Sequence, residues 1–277
     1  MTLIESLILG AVQGATEFLP VSSSGHLVLV EALMKVQTPG VLYEVALHLG
    51  TLAAVVFFFR RDVRDIIVDW CAGMAEWGWK RRPWREVWAA RKDFRMGWYV
   101  VVGTLPAGIA GLTVNDLIAG LFKSPLLTAG MLFVTGEILW LTRSYSLARQ
   151  EGRVTLKDAL LIGLAQSVAL IPGISRSGST ISAGLMLGLD RAEAARFSFL
   201  LFMPAILGAA VLESRHISAL PEGQWGALLA GVLTATITGY IALRFLVRVV
   251  KAAGLHWFAW YCWGMGIVAV SYFWAVR

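Results

Sequence analysis

Cysteine is almost missing from this 277-residue chain: Cys71 and Cys262 are the only two. One lies beside a basic segment and the other in an apolar run, so neither a disulfide nor a cysteine metal site is expected. Charge is scarce too, at 15% of residues, and leans basic, with 24 lysines and arginines against 18 acids. A 57% hydrophobic content and a mean hydropathy of +0.69 exclude a soluble domain. The formal charge of +6 therefore reads as loop lysine and arginine of a polytopic membrane protein, and no nucleic-acid partner is expected. The first segment lacks a basic start and carries Glu5 and Glu17, so it reads as part of the fold and not as a cleavable signal. Apolar runs recur along the whole length, which predicts one integral membrane domain over 1–277.

Two of those runs are broken. Residues 3–18 and 27–36 flank P-V-S-S-S-G-H at 20–26, and residues 158–171 resume, after a break at 172–180, to about 188. No piece reaches the ~20 residues a spanning helix needs, which predicts two re-entrant hairpins. Unbroken crossings are expected at 42–59, 97–113, 125–142, 197–213, 225–243 and 257–275. The expected fold is thus all-α: six transmembrane helices plus two re-entrant hairpins. Residues 60–96 read as a polar loop, with ten basic and six acidic residues and tryptophans suited to a membrane interface. Placing that loop in the cytoplasm and alternating puts 19 lysines and arginines inside and four outside, with Arg176 within the membrane. Both termini then lie outside.

A shift of 153 residues overlays the two breaks: Gly10 on Gly163, Gln13 on Gln166, and Ser22, Ser24 and Gly25 on Ser175, Ser177 and Gly178. L-P-A at 105–107 and M-P-A at 203–205 read as a further match. Repeat one (1–142) and repeat two (158–277) each hold one hairpin and three crossings. Three is odd, so the second repeat enters the membrane inverted, the plan of transporters with a central site.

The second break reads I-P-G-I-S-R-S-G-S-T. Pro172 removes a backbone donor, and a guanidinium at this depth costs roughly 3 kcal/mol or more without a partner. Arg176 is therefore expected to meet an anion. Ser24 and Ser177 are expected to cap the helices that follow, whose free N–H groups suit phosphate. Gln13 and Glu17 share a helix face, and His26 lies across the break. Ser22 or Ser23 supplies a hydroxyl, His26 a base and Glu17 a carboxylate to orient it, with Arg176 stabilising phosphoryl charge.

The segments Q-G-A-T-E-F-L-P-V-S-S-S-G-H and P-G-I-S-R-S-G-S-T resemble those of the undecaprenyl pyrophosphate phosphatases of the bacitracin-resistance type, and the apolar framework is similar over the whole chain. The resemblance implies an enzyme of the bacterial plasma membrane that hydrolyses undecaprenyl diphosphate to the monophosphate and phosphate, recycling the lipid carrier of cell-wall synthesis. It implies catalytic roles for Glu17, His26 and Arg176, with Ser23 as nucleophile. Phosphate contacts are expected from Gln13, Ser22, Ser24, Gly25, Ser175, Ser177, Gly178 and Thr180. It also implies a site open to the outer face and a supporting divalent cation, magnesium or calcium. Gln13 stands where many members carry glutamate, which weakens a two-carboxylate metal site; Glu137, Asp190 and Glu213 are further acids with no reason to prefer one. A transporter or flippase of polyprenyl phosphate is the rival reading. The phosphatidic-acid phosphatase class needs a second histidine and an aspartate that Ser177 to Leu189 do not contain. Small residues between Gly103 and Gly111 allow a homodimer.

Overall fold

The computed structural model describes residues 1–36, 41–144, 153–213 and 223–276. Arg149, Arg215 and Arg277 of the charge count lie outside them. The described residues form thirteen α-helices and no strand: α1 (Leu3–Phe18), α2 (Ser23–Met34), α3 (Val41–Phe58), α4 (Arg60–Gly78), α5 (Trp84–Ala90), α6 (Lys92–Thr113), α7 (Asn115–Phe122), α8 (Pro125–Leu141), α9 (Leu156–Val168), α10 (Arg176–Met186), α11 (Arg191–Glu213), α12 (Trp225–Lys251) and α13 (Phe258–Ala275). Four of them, α6, α8, α11 and α12, are long and apolar enough to cross a membrane, and α3 with α4 makes a fifth if the bent pair counts as one span.

The lipid-facing character is written along α12. Leu229, Leu233, Ile237, Ile241 and Phe245 are exposed at every fourth position. Such a stripe is untenable in water but neutral against lipid tails. The opposite face carries Gly231, Ala235, Gly239 and Ala242, all buried. There α1 lies so close that a side chain at Gly10 would strike the Gly231 carbonyl, and one at Gly14 the Ala235 backbone. In the same way α9 lies on α6, with Gly163 against the Gly103 backbone. Small residues at these crossings let van der Waals contact do what the hydrophobic effect cannot do in lipid.

Both breaks fall between short helices, of 16 and 12 residues for α1 and α2 and of 13 and 11 for α9 and α10. Each first arm begins with a capping box, Thr2 with Glu5 and Thr155 with Asp158, again 153 residues apart. A proline that cannot continue the ladder follows each first arm, Pro20 after α1 and Pro172 four residues past the end of α9. The caps of the second arms are Ser22 and Ser175, which accept from Gly25 N at 3.2 Å and Gly178 N at 3.0 Å. This corrects the expectation for Ser24 and Ser177, which instead bond the capping hydroxyls, each at 3.2 Å. Pro106 and Pro204, of the two similar segments, each lie inside a long helix, α6 and α11.

Residues 60–96 are a helical unit, not a loop. An 81° bend after Phe58 turns α4 off the axis of α3. One of its faces packs inward, where Val63 and Ile66 reach the main core and Gly73 meets the Phe94 ring, while Ile67 and Val68 stay exposed. The tryptophans pack on one another as well: Trp84 lies 5.4 Å from Trp77, 5.8 Å from Trp88 and 5.7 Å from Trp98. Arg91 closes the turn, bonding Asp69 and, at 2.6 Å, Glu76, which Arg82 also holds at 3.0 Å. The Arg91 and Arg82 hydrogen bonds lower the Glu76 carboxyl from 4.5 to about 2. A depressed carboxylate contributes its stability above the unfolded value and loses it as pH falls through the folded one. Acidification from about pH 5 to about 2 is therefore expected to loosen α5 from α4, read as faster amide exchange in Trp84–Ala90 once intrinsic rates are divided out. Glu76→Gln should show that exchange already at neutral pH; protection that ignores both changes refutes the clasp.

Candidate active site

Glu17 ends α1 facing inward, 5% exposed, and its two oxygens gather four side chains. Oε1 pairs with Arg176. Oε2 accepts from the Ser23 hydroxyl and from Gln13 Nε2 at 2.7 Å, and lies 3.4 Å from His48 Nε2. Gln13 thus serves in hydrogen bonding alone, and the spacing of four residues puts it where Glu17 needs it. Arg176 also lies over the Phe202 ring, with Cζ 4.2 Å from its centroid, a cation–π contact from α11. Edge-to-face contacts of Phe18 with Phe199 and Phe202, both at 5.8 Å, fill the space behind.

The two hairpin tips meet and brace each other. A side chain on Gly25 would touch Gly173 Cα at 3.2 Å, and one on Gly178 would touch Pro20 at 3.4 Å. Ser177 Oγ donates to the Leu19 carbonyl at 3.3 Å. Gly173 takes φ +94°, a conformation suited to glycine, and its carbonyl accepts from Thr135 of α8 at 2.7 Å. Ser22 holds φ +69° without being glycine, backbone strain of a kind that concentrates at functional sites.

These elements enclose a cavity of about 210 Å³. Its polar wall is Glu17, Ser22, Ser23, Ser24, Ser175 and Arg176, with Glu44 and His48 of α3. Its other wall is apolar, with Ala107, Leu170, Ile174 and Ile206 among the residues, and carries Gln166. A larger cleft of about 710 Å³ at the α4–α5 unit is open and mixes Arg64, Arg82, Arg91 and Lys92 with Asp65, Asp69 and Asp93, so its charges largely answer one another.

Six expected site residues do not line the cavity: Gln13, Gly25, His26, Ser177, Gly178 and Thr180. Nδ1 of the His26 ring bonds the Ser22 carbonyl at 2.8 Å, and Nε2 meets the Tyr261 hydroxyl at 2.9 Å, with the two rings stacked at 5.7 Å. The carboxylate is thus not behind the imidazole; it holds the Ser23 hydroxyl itself. Thr180 is fully buried and bonds the Arg176 carbonyl at 2.8 Å and Ser198 at 2.5 Å, tying α10 to α11. Gly178 lies at the tip without lining the cavity, as does Gly25. Ser177 braces the tip. The residues the sequence reading missed are Glu44 and His48. Their signal was two ionisable side chains in the apolar crossing 42–59, four residues apart on one face. His48 Nδ1 bonds the Glu44 carbonyl at 2.7 Å, so only a doubly protonated ring has a hydrogen for Glu17.

The cation implied by the resemblance finds no protein-only seat: among the described residues no three His, Cys, Asp or Glu side chains gather as ligands. Glu17 already serves four partners, Asp190 caps α11 through Glu193 N at 2.9 Å, and the Glu213 side chain lies outside the described residues.

The apolar helices define a multi-pass integral membrane protein, with Glu17, Glu44, His48 and Arg176 lining a cavity beside its two broken helices. The chain belongs to the family described as bacitracin resistance protein BacA, which it matches over residues 6–268. Undecaprenyl-diphosphatase of Desulfatibacillum aliphaticivorans is 43% identical over 95% of this chain and 96% of its own. That of Thermomicrobium roseum is 42% identical over 97% of both chains, and undecaprenyl-diphosphatase 2 of Streptomyces coelicolor is 38% identical over 98% of this chain and 94% of its own.

Proposed function

We infer that this chain hydrolyses undecaprenyl diphosphate to undecaprenyl phosphate and inorganic phosphate. The observation that carries the reading is one buried carboxylate holding both a hydroxyl and a guanidinium at the wall of a partly open cavity. A diphosphate entering there offers its oxygens to Arg176 in place of Glu17. The freed carboxylate takes the Ser23 proton as Oγ bonds to the terminal phosphorus. The bond from that phosphorus to the bridging oxygen breaks, Glu17 passes its proton to that oxygen, and the lipid monophosphate leaves. Water then attacks the phosphoserine, Glu17 accepts its proton and returns it to Oγ, and inorganic phosphate departs. Ser22, Ser24 and Ser175 offer hydrogen bonds to the phosphate oxygens. His26 acts as a positioning residue that pins the tip to α13 through Tyr261. A divalent cation would arrive on the diphosphate itself, since magnesium commonly rides on substrate phosphates, and no step is routed through it.

The finer fold belongs to the same proposal: six crossings and two re-entrant hairpins, as one domain of two inverted repeats. Packing supports it, because each hairpin lies on a helix of the opposite half, α1 on α12 and α9 on α6, with equivalent glycines at both crossings. The cavity is too small for a polyprenyl chain, so the tail lies among helices and lipid. The excess of inside lysine and arginine supports insertion in the bacterial inner membrane with both termini and the site on the outer side. A homodimer has Gly108 and Gly111 of α6 as open surface, whereas Gly103 is used against α9.

Purified protein given undecaprenyl diphosphate in detergent is expected to release phosphate and lipid monophosphate in equal amounts. Movement of polyprenyl phosphate across vesicles without any phosphate release would instead favour the transporter.

A further inference from the structure

Gln166 is the most conspicuous polar side chain that the chemistry above leaves unused. It sits on α9, is 2% exposed and lines the cavity, yet neither its amide oxygen nor its amide nitrogen has a hydrogen-bond partner among the described residues. Because both atoms are unpartnered, turning the amide over changes nothing. A buried amide without partners is costly to the fold, and such groups persist where a ligand completes them.

The repeat explains how the vacancy arises. Gln13 and Gln166 are equivalent under the 153-residue shift; the residue four positions later is still on α1 in the first case and just past the end of α9 in the second. In the first half that residue is Glu17, which takes the Gln13 donor at 2.7 Å. In the second half it is Leu170, which offers nothing. The same shift sets Ser23 opposite Arg176. One half-site therefore carries the reacting hydroxyl and carboxylate, and the other carries Arg176 and an amide with no partner of its own beside the apolar wall of Ala169, Leu170 and Ile206.

We propose that Gln166 binds the lipid-side phosphate of the diphosphate, the group that leaves with the polyprenyl chain. This rests on the hydrolase reading of the same cavity. The terminal phosphate belongs beside Ser23 and Arg176, and the chain must run along apolar residues. The phosphate between them then falls on the wall where Gln166 stands, with Nε2 donating to a phosphate oxygen and Oε1 accepting from a water of that group.

The test is Gln166→Leu, with Gln166→Glu as the second variant, assayed with undecaprenyl diphosphate and with lipid monophosphate and inorganic phosphate as competing inhibitors. Removing an interaction that is kept from ground state to transition state raises KM and spares kcat. Gln166→Leu is expected to raise KM and the inhibition constant of the lipid monophosphate by roughly tenfold, the worth of a hydrogen bond to a charged group, leaving kcat and inhibition by inorganic phosphate near the wild type. Gln166→Glu, of the same size but repelling the anion, should weaken the lipid monophosphate further. Tm of Gln166→Leu should not fall, since no internal bond is lost. Unchanged inhibition by the lipid monophosphate, equal weakening toward inorganic phosphate, or a clear loss of Tm each overturns the assignment. A wild type that releases no phosphate overturns the hydrolase reading instead.

Discussion

Replacing Arg176 by alanine is expected to lower phosphate release by roughly 10³-fold or more, the loss seen when an arginine that stabilises a transferring phosphoryl group is removed. The variant should also be less stable. Glu17 would remain buried with its ion-pair partner gone, and breaking a buried pair costs roughly 3–5 kcal/mol when one charge is left behind. Ser23, Gln13 and His48 still surround the carboxylate, and Arg176 is 21% exposed in its side chain, so the lower end of that range applies. Adding Glu17→Gln should recover most of the lost Tm, because a neutral amide tolerates the site, and should recover none of the turnover. Thermal unfolding in detergent and phosphate release measured on the single and double variants separate the two effects. Turnover near the wild type in Arg176→Ala would remove Arg176 from the chemistry.

Ser23→Ala should be nearly as damaging to turnover, by roughly 10³-fold or more if Oγ is the nucleophile, while leaving the fold almost untouched. Ser23 is only half-buried and its one internal bond goes to Glu17. The expected stability change is about 1 kcal/mol, the worth of a single hydrogen bond. Acid quenching of the wild type during turnover should trap a phosphoryl group on Ser23, identified by mass spectrometry of the peptide. Substantial residual turnover with no trapped adduct would mean that water attacks directly, with Glu17 as its base.

Much of this site was legible in the chain alone. A proline, a run of hydroxyls and an arginine between apolar stretches do not fit a membrane helix, so Arg176 stood out by its cost. Gln13 and Glu17 were paired by helical spacing, and that pairing appears as a 2.7 Å hydrogen bond. His26 was a different matter. Its closeness to Ser23 in sequence suggested a base, but position on a helix decides direction, and the ring turns toward Tyr261, 235 residues away. His48 was overlooked because it lay in a smooth apolar run, and only the packing of α3 beside α1 carries it to Glu17. The stretch 60–96 misled for the opposite reason: charges and tryptophans read as a loop, while Val63 and Ile66 of α4 are spaced to bury one face.

The sequence by itself determined where the helices break, that serines cap the restarted arms in matching register, and that a charged group had to be sheltered within the membrane. These are local matters of backbone donors, hydroxyl placement and the cost of charge in hydrocarbon. Only the tertiary structure decided which imidazole faces the cavity, which carboxylate meets Arg176 and which amide is left without a partner. Those pairings join residues up to 159 positions apart, and they depend on how closely small-residue helix faces let the two halves approach.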